Sequence, residues 1–160
     1  MTVELKERTE IHVRTYFSRT RDPEIQWMLP QTAQTEAQAV ADYEKSLLPG
    51  ATSFGRTIYS NGVYVGDIWC YCMDPEEDPN AMISYCLFEK ALWNRGIVTK
   101  AVELFLEEIG RRFELKKLGA FTYCDNGASM RVLEKNGFVK IEEFMEDGRL
   151  SVYYQKEMSV

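Results

Sequence analysis

The sequence predicts a mixed α/β fold, in which a mostly antiparallel sheet of about seven strands is covered by about four helices. Two dipeptides, Asn61-Gly62 and Asp147-Gly148, separate strand-like segments and are typical of tight β-hairpins, because these residue types tolerate positive φ. A strand over 82–88 is followed by a glycine-containing loop and then by a helix with one apolar stripe. Hairpins combined with helix-linked strands indicate a mixed sheet.

The predicted elements follow one another as strand, two helices, three strands, helix, strand, helix and two strands. In the first half of the chain they cover 11–17, 24–29, 36–48, 52–59 and 63–73. In the second half they cover 82–88, a helix that opens near 98, and then 118–124, 127–136, 139–145 and 149–154.

Local signals set several of these boundaries. Thr35 is a favourable N-cap for the second helix, which ends at Pro49-Gly50. Asn126 is placed to cap the last helix, and Gly137 lies just after its end. The apolar phase shifts inside the strand over 63–73, which predicts a β-bulge near Gly66-Asp67.

Length and composition indicate a single globular domain over residues 1–160. The chain has 160 residues, of which 45% are hydrophobic, enough for one real core. Its charged N-terminus lacks an apolar signal region, and no apolar run is long enough to span a bilayer, so we expect a cytoplasmic protein without a membrane partner. The net charge of −6 argues against broad nucleic-acid binding and is compatible with a cationic substrate such as an amine.

The four cysteines are expected to be free thiols in or near strands. Alternation along a strand would place Cys70 and Cys72 on one face. A metal site would need tighter cysteine pairs or histidine partners, and His12 is the chain's single histidine, so no metal is expected. No partner pattern suggests that His12 is catalytic, and it is interpreted as a strand residue.

The loop before the central helix has the features of a phosphate site. A helix N-terminus presents unpaired backbone N–H groups and a partial positive charge. Gly96 allows the backbone to approach a ligand closely, and Arg95 adds a full positive charge. Taken alone, one glycine and one arginine are weak evidence, and the loop fits an ordinary strand-to-helix turn better.

A second motif lies downstream, where Asn126, Ser129, Lys135, Gly137 and Phe138 follow the pattern N-x-x-S-x-x-x-x-x-K/R-x-G-F. About thirty residues earlier, the segment 93–101 resembles the loop W-G-K-G-Y-A-T-E-A. In order and separation the two motifs resemble those of the GNAT acyl-CoA N-acyltransferase family, in the branch that includes the ribosomal-protein N-terminal acetyltransferases. The resemblance covers the chain from about Tyr64 onward and implies a GNAT-like sheet, acetyl-CoA as co-substrate and an amine acceptor.

The resemblance also implies the site residues. The pyrophosphate of the cofactor would lie on the loop formed by Asn94, Arg95, Gly96, Ile97, Val98 and Thr99. Leu87 and Phe88 would pair with the pantetheine arm, and the Leu87 N–H could serve the oxyanion. Asn126 would contact the pantetheine, and Ser129 would lie near enough to the sulfur to protonate it. From the residues alone, Asn126 and Ser129 could equally be ordinary residues at a helix start.

Two positions depart from the family pattern. Leu133 stands where many members have a tyrosine proton donor, so Ser129, or a water that it holds, becomes the expected donor. Met82 stands where many members have a glutamate. The general base must then come from elsewhere, with Glu143 as the chosen candidate. The open alternatives are Glu142, Glu146, Asp67, a water chain, or an amine that arrives neutral.

The leading interpretation is therefore an N-acetyltransferase that moves an acetyl group to a primary amine by direct attack in a ternary complex. The acceptor would be a protein N-terminus or a small molecule, and a homodimer is compatible with the sequence. The alternative is a weakly active or inactive acyl-CoA-binding module of the same fold, favoured by Met82 and Leu133. A plain interaction domain is a third hypothesis, against which the Gly96 loop and the Asn126/Ser129 pair argue.

Overall fold

The computed structural model describes residues 1–29, 33–76 and 78–158, which form seven strands and five α-helices. The strands are β1 (Val3–Glu7), β2 (Phe54–Ser60), β3 (Val63–Asp74), β4 (Asn80–Leu87), β5 (Lys117–Tyr123), β6 (Val139–Glu146) and β7 (Arg149–Glu157). The helices are α1 (Glu10–Arg19), α2 (Pro23–Met28), α3 (Glu36–Ser46), α4 (Ile97–Arg112) and α5 (Gly127–Lys135). A short 3₁₀ turn, Lys90–Leu92, precedes the loop that opens α4.

One sheet runs through the molecule in the order β1-β2-β3-β4-β5-β7-β6. All neighbouring strands are antiparallel except β4 and β5, which are parallel. These two strands pair over a short stretch, where Asn80 to Met82 lie beside Lys117 to Gly119. Beyond that stretch they diverge, and the divergence opens a gap in the middle of the sheet.

The predicted fold class and the number of strands are confirmed. Both hairpins form as expected, with positive φ at Asn61 and Asp147 and at the glycine that follows each. The bulge lies at Val65, next to its predicted position, where the register with β2 shifts by one residue. Gly66 beside it is required by packing, because a Cβ there would clash with the Cys86 carbonyl oxygen.

The predicted position of the first strand is wrong. Residues 10–19 form helix α1, and β1 lies earlier, over Val3–Glu7, where it pairs with β2. The helix begins with a capping box, in which the His12 backbone N–H donates to Thr9 Oγ1 and the Thr9 backbone N–H donates to His12 Nδ1. Val13 and the C-cap residue Thr20 are seven positions apart, so they lie on the same side of the helix, and both are buried. Packing therefore outweighs the strand propensity of this segment. His12 is therefore a helix residue, and the structure has one more helix than predicted.

Helices cover both faces of the sheet. The apolar stripe of α4 is fully buried, with Phe105 and Ile109 in the same core as Ile68 and Cys70 of β3. Trp69, between those two strand residues, points to the opposite face and contacts Tyr16 of α1 in an edge-to-face arrangement. Helix α2 packs on that second face through a small core. The gap between β4 and β5 lies between the face of the sheet that α4 covers and the face that α2 covers.

The four cysteines are free thiols, as expected. Cys70 is buried, which raises the pKa of its thiol to about 12. Cys72 is exposed and has a positive φ, so the predicted sharing of one strand face with Cys70 is wrong. The positive φ accompanies an irregularity in the β3–β4 pairing, and it breaks the alternation of side chains.

Candidate active site

The divergence of β4 from β5 opens a cavity of about 760 Å³ that crosses the sheet. Its walls come from α2, the end of β4, the loop before α4, the end of β5, and the first two turns of α5. A volume of this size is within the range of small-molecule and cofactor sites.

The N-terminus of α4 faces this cavity without a side-chain cap. The other four α-helices of the described ranges are capped by Thr9, Asp22, Thr35 and Asn126. At α4 the N-cap is Gly96, with φ +82°, and no described side chain accepts from the first turn. A Cβ on Gly96 would meet no protein atom within 4 Å. The first backbone N–H groups of α4 are therefore available to an anion in the cavity.

Trp93 fixes the loop before α4 to the end of β4. Its indole Nε1–H donates to the Leu87 carbonyl oxygen at 2.9 Å. The neighbouring Phe88 N–H donates to Val65 on β3 at 3.0 Å. Because successive backbone groups of a strand point to opposite sides, the Leu87 N–H points away from β3 and into the gap.

The basic side chains that line the cavity are unpaired in the described residues, whereas the lining carboxylates form ion pairs. Three basic side chains line it, and within the described residues none of them forms an ion pair: Arg95, Arg131 and Lys135. The two lining carboxylates are both paired. Glu24 lies 3.3 Å from Lys90 Nζ, and Asp125 lies 3.0 Å from Arg149 Nη2.

Arg149 also links two walls of the cavity. Its guanidinium carbon lies 3.6 Å from the ring centre of Trp27 in α2. The same carbon lies 3.5 Å from the ring centre of Tyr123 at the end of β5. Its Nη1 donates to the Trp27 carbonyl oxygen at 2.6 Å. The arginine therefore ties α2 to the sheet beside the mouth of the cavity.

At the start of α5, Asn126 and Ser129 both line the cavity. Asn126 Oδ1 accepts from the Ser129 backbone N–H at 3.2 Å, which is an N-cap and leaves the amide NH₂ to other partners. The Ser129 hydroxyl lies 2.8 Å from the hydroxyl of Tyr85, which comes from β4. Burial raises the pKa of Tyr85 well above its usual value.

Cys86 lines the cavity as well, but it is a poor nucleophile. Burial raises the pKa of its thiol to about 12, so the thiolate is scarce at neutral pH. Among the described residues, no group of three or more His, Cys, Asp or Glu side chains is placed to hold a metal ion. No described helix is both long and apolar enough to cross a bilayer.

The structure brings together almost all of the residues predicted to hold a cofactor. Leu87, the loop Asn94 to Thr99, Asn126 and Ser129 all line the cavity. Phe88 is not among the lining residues, because its side chain is buried in the small core under α2 and its N–H is bonded to β3.

The carboxylates considered as bases lie elsewhere. Glu143 is on the exposed strand β6, where it pairs with Lys140, and Glu142 and Glu146 are exposed on the same strand. Asp67 is buried beside α1, where the Tyr64 hydroxyl donates to it at 2.6 Å. Burial raises the pKa of Asp67. No member of this set is among the described residues of the cavity wall.

Tyr85 is the site residue that the sequence analysis missed. Alternation along β4 would have placed it on the same face as Leu87, whose role the resemblance implied. Its partner Ser129 is 44 residues away, so the contact itself had no local signal. Leu133, which stands where a tyrosine was expected, is 1% exposed and packs in the main core.

Comparisons with known proteins agree with this geometry. Residues 3–139 match the family described as acetyltransferase (GNAT) domain. No curated protein matches the chain.

Several solved structures have the same fold. Aminoglycoside acetyltransferase AAC(6')-Ib in complex with coenzyme A superposes with a TM-score of 0.80 and 21% identity, over 98% of this chain and 95% of its own. RimL, a ribosomal L7/L12 α-N-protein acetyltransferase in complex with coenzyme A, superposes with a TM-score of 0.81 and 19% identity. The match covers 99% of this chain and 95% of RimL. An acetyltransferase from Salmonella typhimurium that modifies the N-terminal serine of a 50S ribosomal subunit protein superposes with a TM-score of 0.81 and 19% identity. The match covers 99% of this chain and 96% of that protein.

Proposed function

The chain belongs to the acetyltransferase (GNAT) family, and we propose that it transfers an acetyl group from acetyl-CoA to a primary amine by direct attack in a ternary complex. The observation that carries this proposal is the uncapped N-terminus of α4, which faces the gap between β4 and β5. A phosphate group at that helix end and a thioester in the gap would together account for the cavity.

The residues present fit acetyl-CoA. The first N–H groups of α4, with Gly96 leaving open space in front of them, would hold the pyrophosphate. Arg95, Arg131 and Lys135 are unpaired in the described ranges and would bind the phosphates of the cofactor. The amide NH₂ of Asn126 would donate to the pantetheine arm, which lies between the strands in this proposal.

The chemistry needs a donor for the oxyanion and a proton for the departing sulfur. When bound, acetyl-CoA supplies an activated thioester. We assign the oxyanion to the Leu87 backbone N–H, which points into the gap, and the proton to the Ser129 hydroxyl. Direct transfer is favoured over an acyl-enzyme because Cys86, the lining thiol, stays protonated at neutral pH.

The amine is proposed to enter as the free base. Both lining carboxylates are already paired with cations, so neither is set to remove a proton. Catalysis at fixed acetyl-CoA should then rise with pH as the amine loses its proton, up to the amine's own pKa, about 7.7–8.0 for a protein α-amino group. A flat pH profile limited by chemistry would contradict this assignment.

The acceptor side of the cavity suits an amine next to apolar groups. Met28 of α2, the adjacent Leu29 and the half-exposed Phe121 of β5 contribute to the wall. One solved neighbour binds kanamycin and another modifies an N-terminal serine. A polycationic acceptor such as kanamycin needs unpaired carboxylates, which the described wall does not provide. We therefore propose a monoamine, such as a peptide N-terminus, as the acceptor class.

An amine panel with acetyl-CoA and a thiol-detecting assay tests this function. Peptides with free N-termini and apolar first residues should release CoA faster than aminoglycosides, and N-terminally blocked peptides of the same sequence should release none. Binding of acetyl-CoA without release with any amine would instead identify an acyl-CoA-binding module. Faster turnover of aminoglycosides would refute the acceptor class and leave the acetyltransferase proposal intact.

A further inference from the structure

The hydrogen bond between Tyr85 and Ser129 joins two sides of the cavity. We propose that Tyr85 is a positioning residue, which holds the Ser129 hydroxyl ready to pass a proton to the departing sulfur and steadies the charge that then develops on its oxygen. This inference rests on the proposed function. In α5, Leu133 is buried in the core and stands where many members of the family have a tyrosine. In this proposal Tyr85 of β4 contributes to the proton transfer instead, by acting through Ser129.

The distances show which group Tyr85 contacts most closely, and relative acidity favours Tyr85 as the donor. The two hydroxyl oxygens are 2.8 Å apart, whereas Tyr85 Oη is 3.3 Å from the Ser129 carbonyl oxygen. A phenol is a stronger acid than an alcohol, so it is the better hydrogen-bond donor of the two. With the phenol donating to Oγ, the hydroxyl hydrogen of Ser129 remains free to point into the cavity.

The rest of the surroundings hold both hydroxyls in place. The Ser129 backbone N–H is fixed by Asn126 Oδ1 at 3.2 Å, so the first turn of α5 cannot rotate freely. Tyr85 lies on β4, whose pairing with β3 extends past it to Leu87. Burial raises the pKa of Tyr85, so the phenol keeps its proton and stays a donor through the working pH range.

The proton balance explains why this bond matters. Overall, one proton moves from the amine nitrogen to the departing sulfur. Ser129 can carry it by giving its own hydroxyl proton to the sulfur and taking the amine's proton on the same oxygen. While this exchange proceeds, Oγ gains negative charge, and a hydrogen bond from Tyr85 to that oxygen becomes charge-assisted and stronger. The stabilisation is therefore larger in the transition state than in the ground state.

A double-mutant cycle on kcat tests the inference. Tyr85→Phe removes the hydroxyl and keeps the ring, and it should lower kcat roughly ten- to a hundredfold with little change in KM for acetyl-CoA. Ser129→Ala should lower kcat at least as much. Because Tyr85 acts through Ser129, the double variant should be no slower than Ser129→Ala alone.

Tyr154→Phe is the matched control. The Tyr154 hydroxyl also donates to α5, at 3.0 Å to Glu134 Oε2, but the residue is buried in the main core and is not among the described lining residues. Its loss should lower the melting temperature and leave kcat unchanged. If the Tyr85 bond only fastened α5 to the sheet, both phenylalanine variants would behave alike.

The outcomes separate this inference from the function on which it rests. Full kcat in Tyr85→Phe would overturn the inference while the wild type still acetylates amines. Multiplicative losses in the double variant would also overturn it, because Tyr85 would then act independently of Ser129. A wild-type chain that turns over no amine would overturn the proposed function, and the inference with it.

Discussion

Replacing Gly96 with alanine should weaken CoA binding much more than it weakens the fold. Gly96 opens α4 with φ +82°, a left-handed conformation that costs an alanine about 1–2 kcal/mol. A Cβ there would meet no protein atom within 4 Å, so no steric clash adds to that cost. For a domain of this size, each kcal/mol lowers the melting temperature by about 2–4 °C.

The added methyl group would, however, occupy the space in front of the uncapped N–H groups. A ligand that binds only the native state at 100 times its Kd stabilises it by about 2.7 kcal/mol, and a tenfold loss of affinity removes about 1.3 kcal/mol of that. Thermal melts with and without CoA should show this reduced stabilisation in Gly96→Ala. Gly96→Glu adds bulk and negative charge and should abolish it.

Gly62→Ala provides the control. Gly62 has φ +79°, also meets nothing within 4 Å, and lies in the β2–β3 hairpin, not in the described wall of the cavity. The two alanine variants should therefore lose similar stability without ligand, while Gly62→Ala keeps the full CoA effect. Equal CoA stabilisation of the two folded variants would refute the placement of the phosphates at α4.

Three further predictions concern single side chains. Trp93→Phe removes the indole donor to the Leu87 carbonyl, so KM for acetyl-CoA should rise several-fold in steady-state kinetics, with a smaller change in kcat. Arg149→Ala should raise KM for the amine more than KM for acetyl-CoA, because α2 loses its tie to the sheet. Burial lowers the pKa of His12, so the unfolded chain binds more protons there. Its contribution to stability is present above about pH 6.5 and is lost as pH falls through the folded pKa; urea unfolding should show a flatter pH dependence in His12→Gln.

Local signals in the sequence were sufficient for the turns, whereas the loop before α4 was predicted to be a cofactor site only in combination with the downstream Asn126/Ser129 motif. Asn61-Gly62 predicts positive φ in a tight hairpin, and the structure has positive φ at both residues. The segment 11–17 misled because its β-branched and aromatic residues resemble a strand. The deciding interactions were the Thr9/His12 capping box and the burial of Val13, and propensity alone does not weigh these.

Site residues that lie at the end of one helix or strand could be predicted from the sequence. Contacts between side chains of two different elements could not. Leu87, Gly96 and Ser129 each lie at an element end that the sequence marks. The Tyr85–Ser129 bond depends on how β4 and α5 meet across the gap, which no local pattern specifies. The same holds for Glu143: the sequence shows a carboxylate on a terminal hairpin, but only the sheet order shows that its strand is an outer edge.

The fate of a labelled acetyl group tests the central claim most directly. Acetyl-CoA labelled in the acetyl carbonyl is incubated with the purified chain and a peptide amine, and protein and peptide are then separated and analysed by mass spectrometry. The account predicts label on the peptide amine, dependent on both the chain and a free amine, and none retained on the protein when the amine is omitted. Label accumulating on a protein cysteine, or no labelled amine despite bound acetyl-CoA, would contradict it.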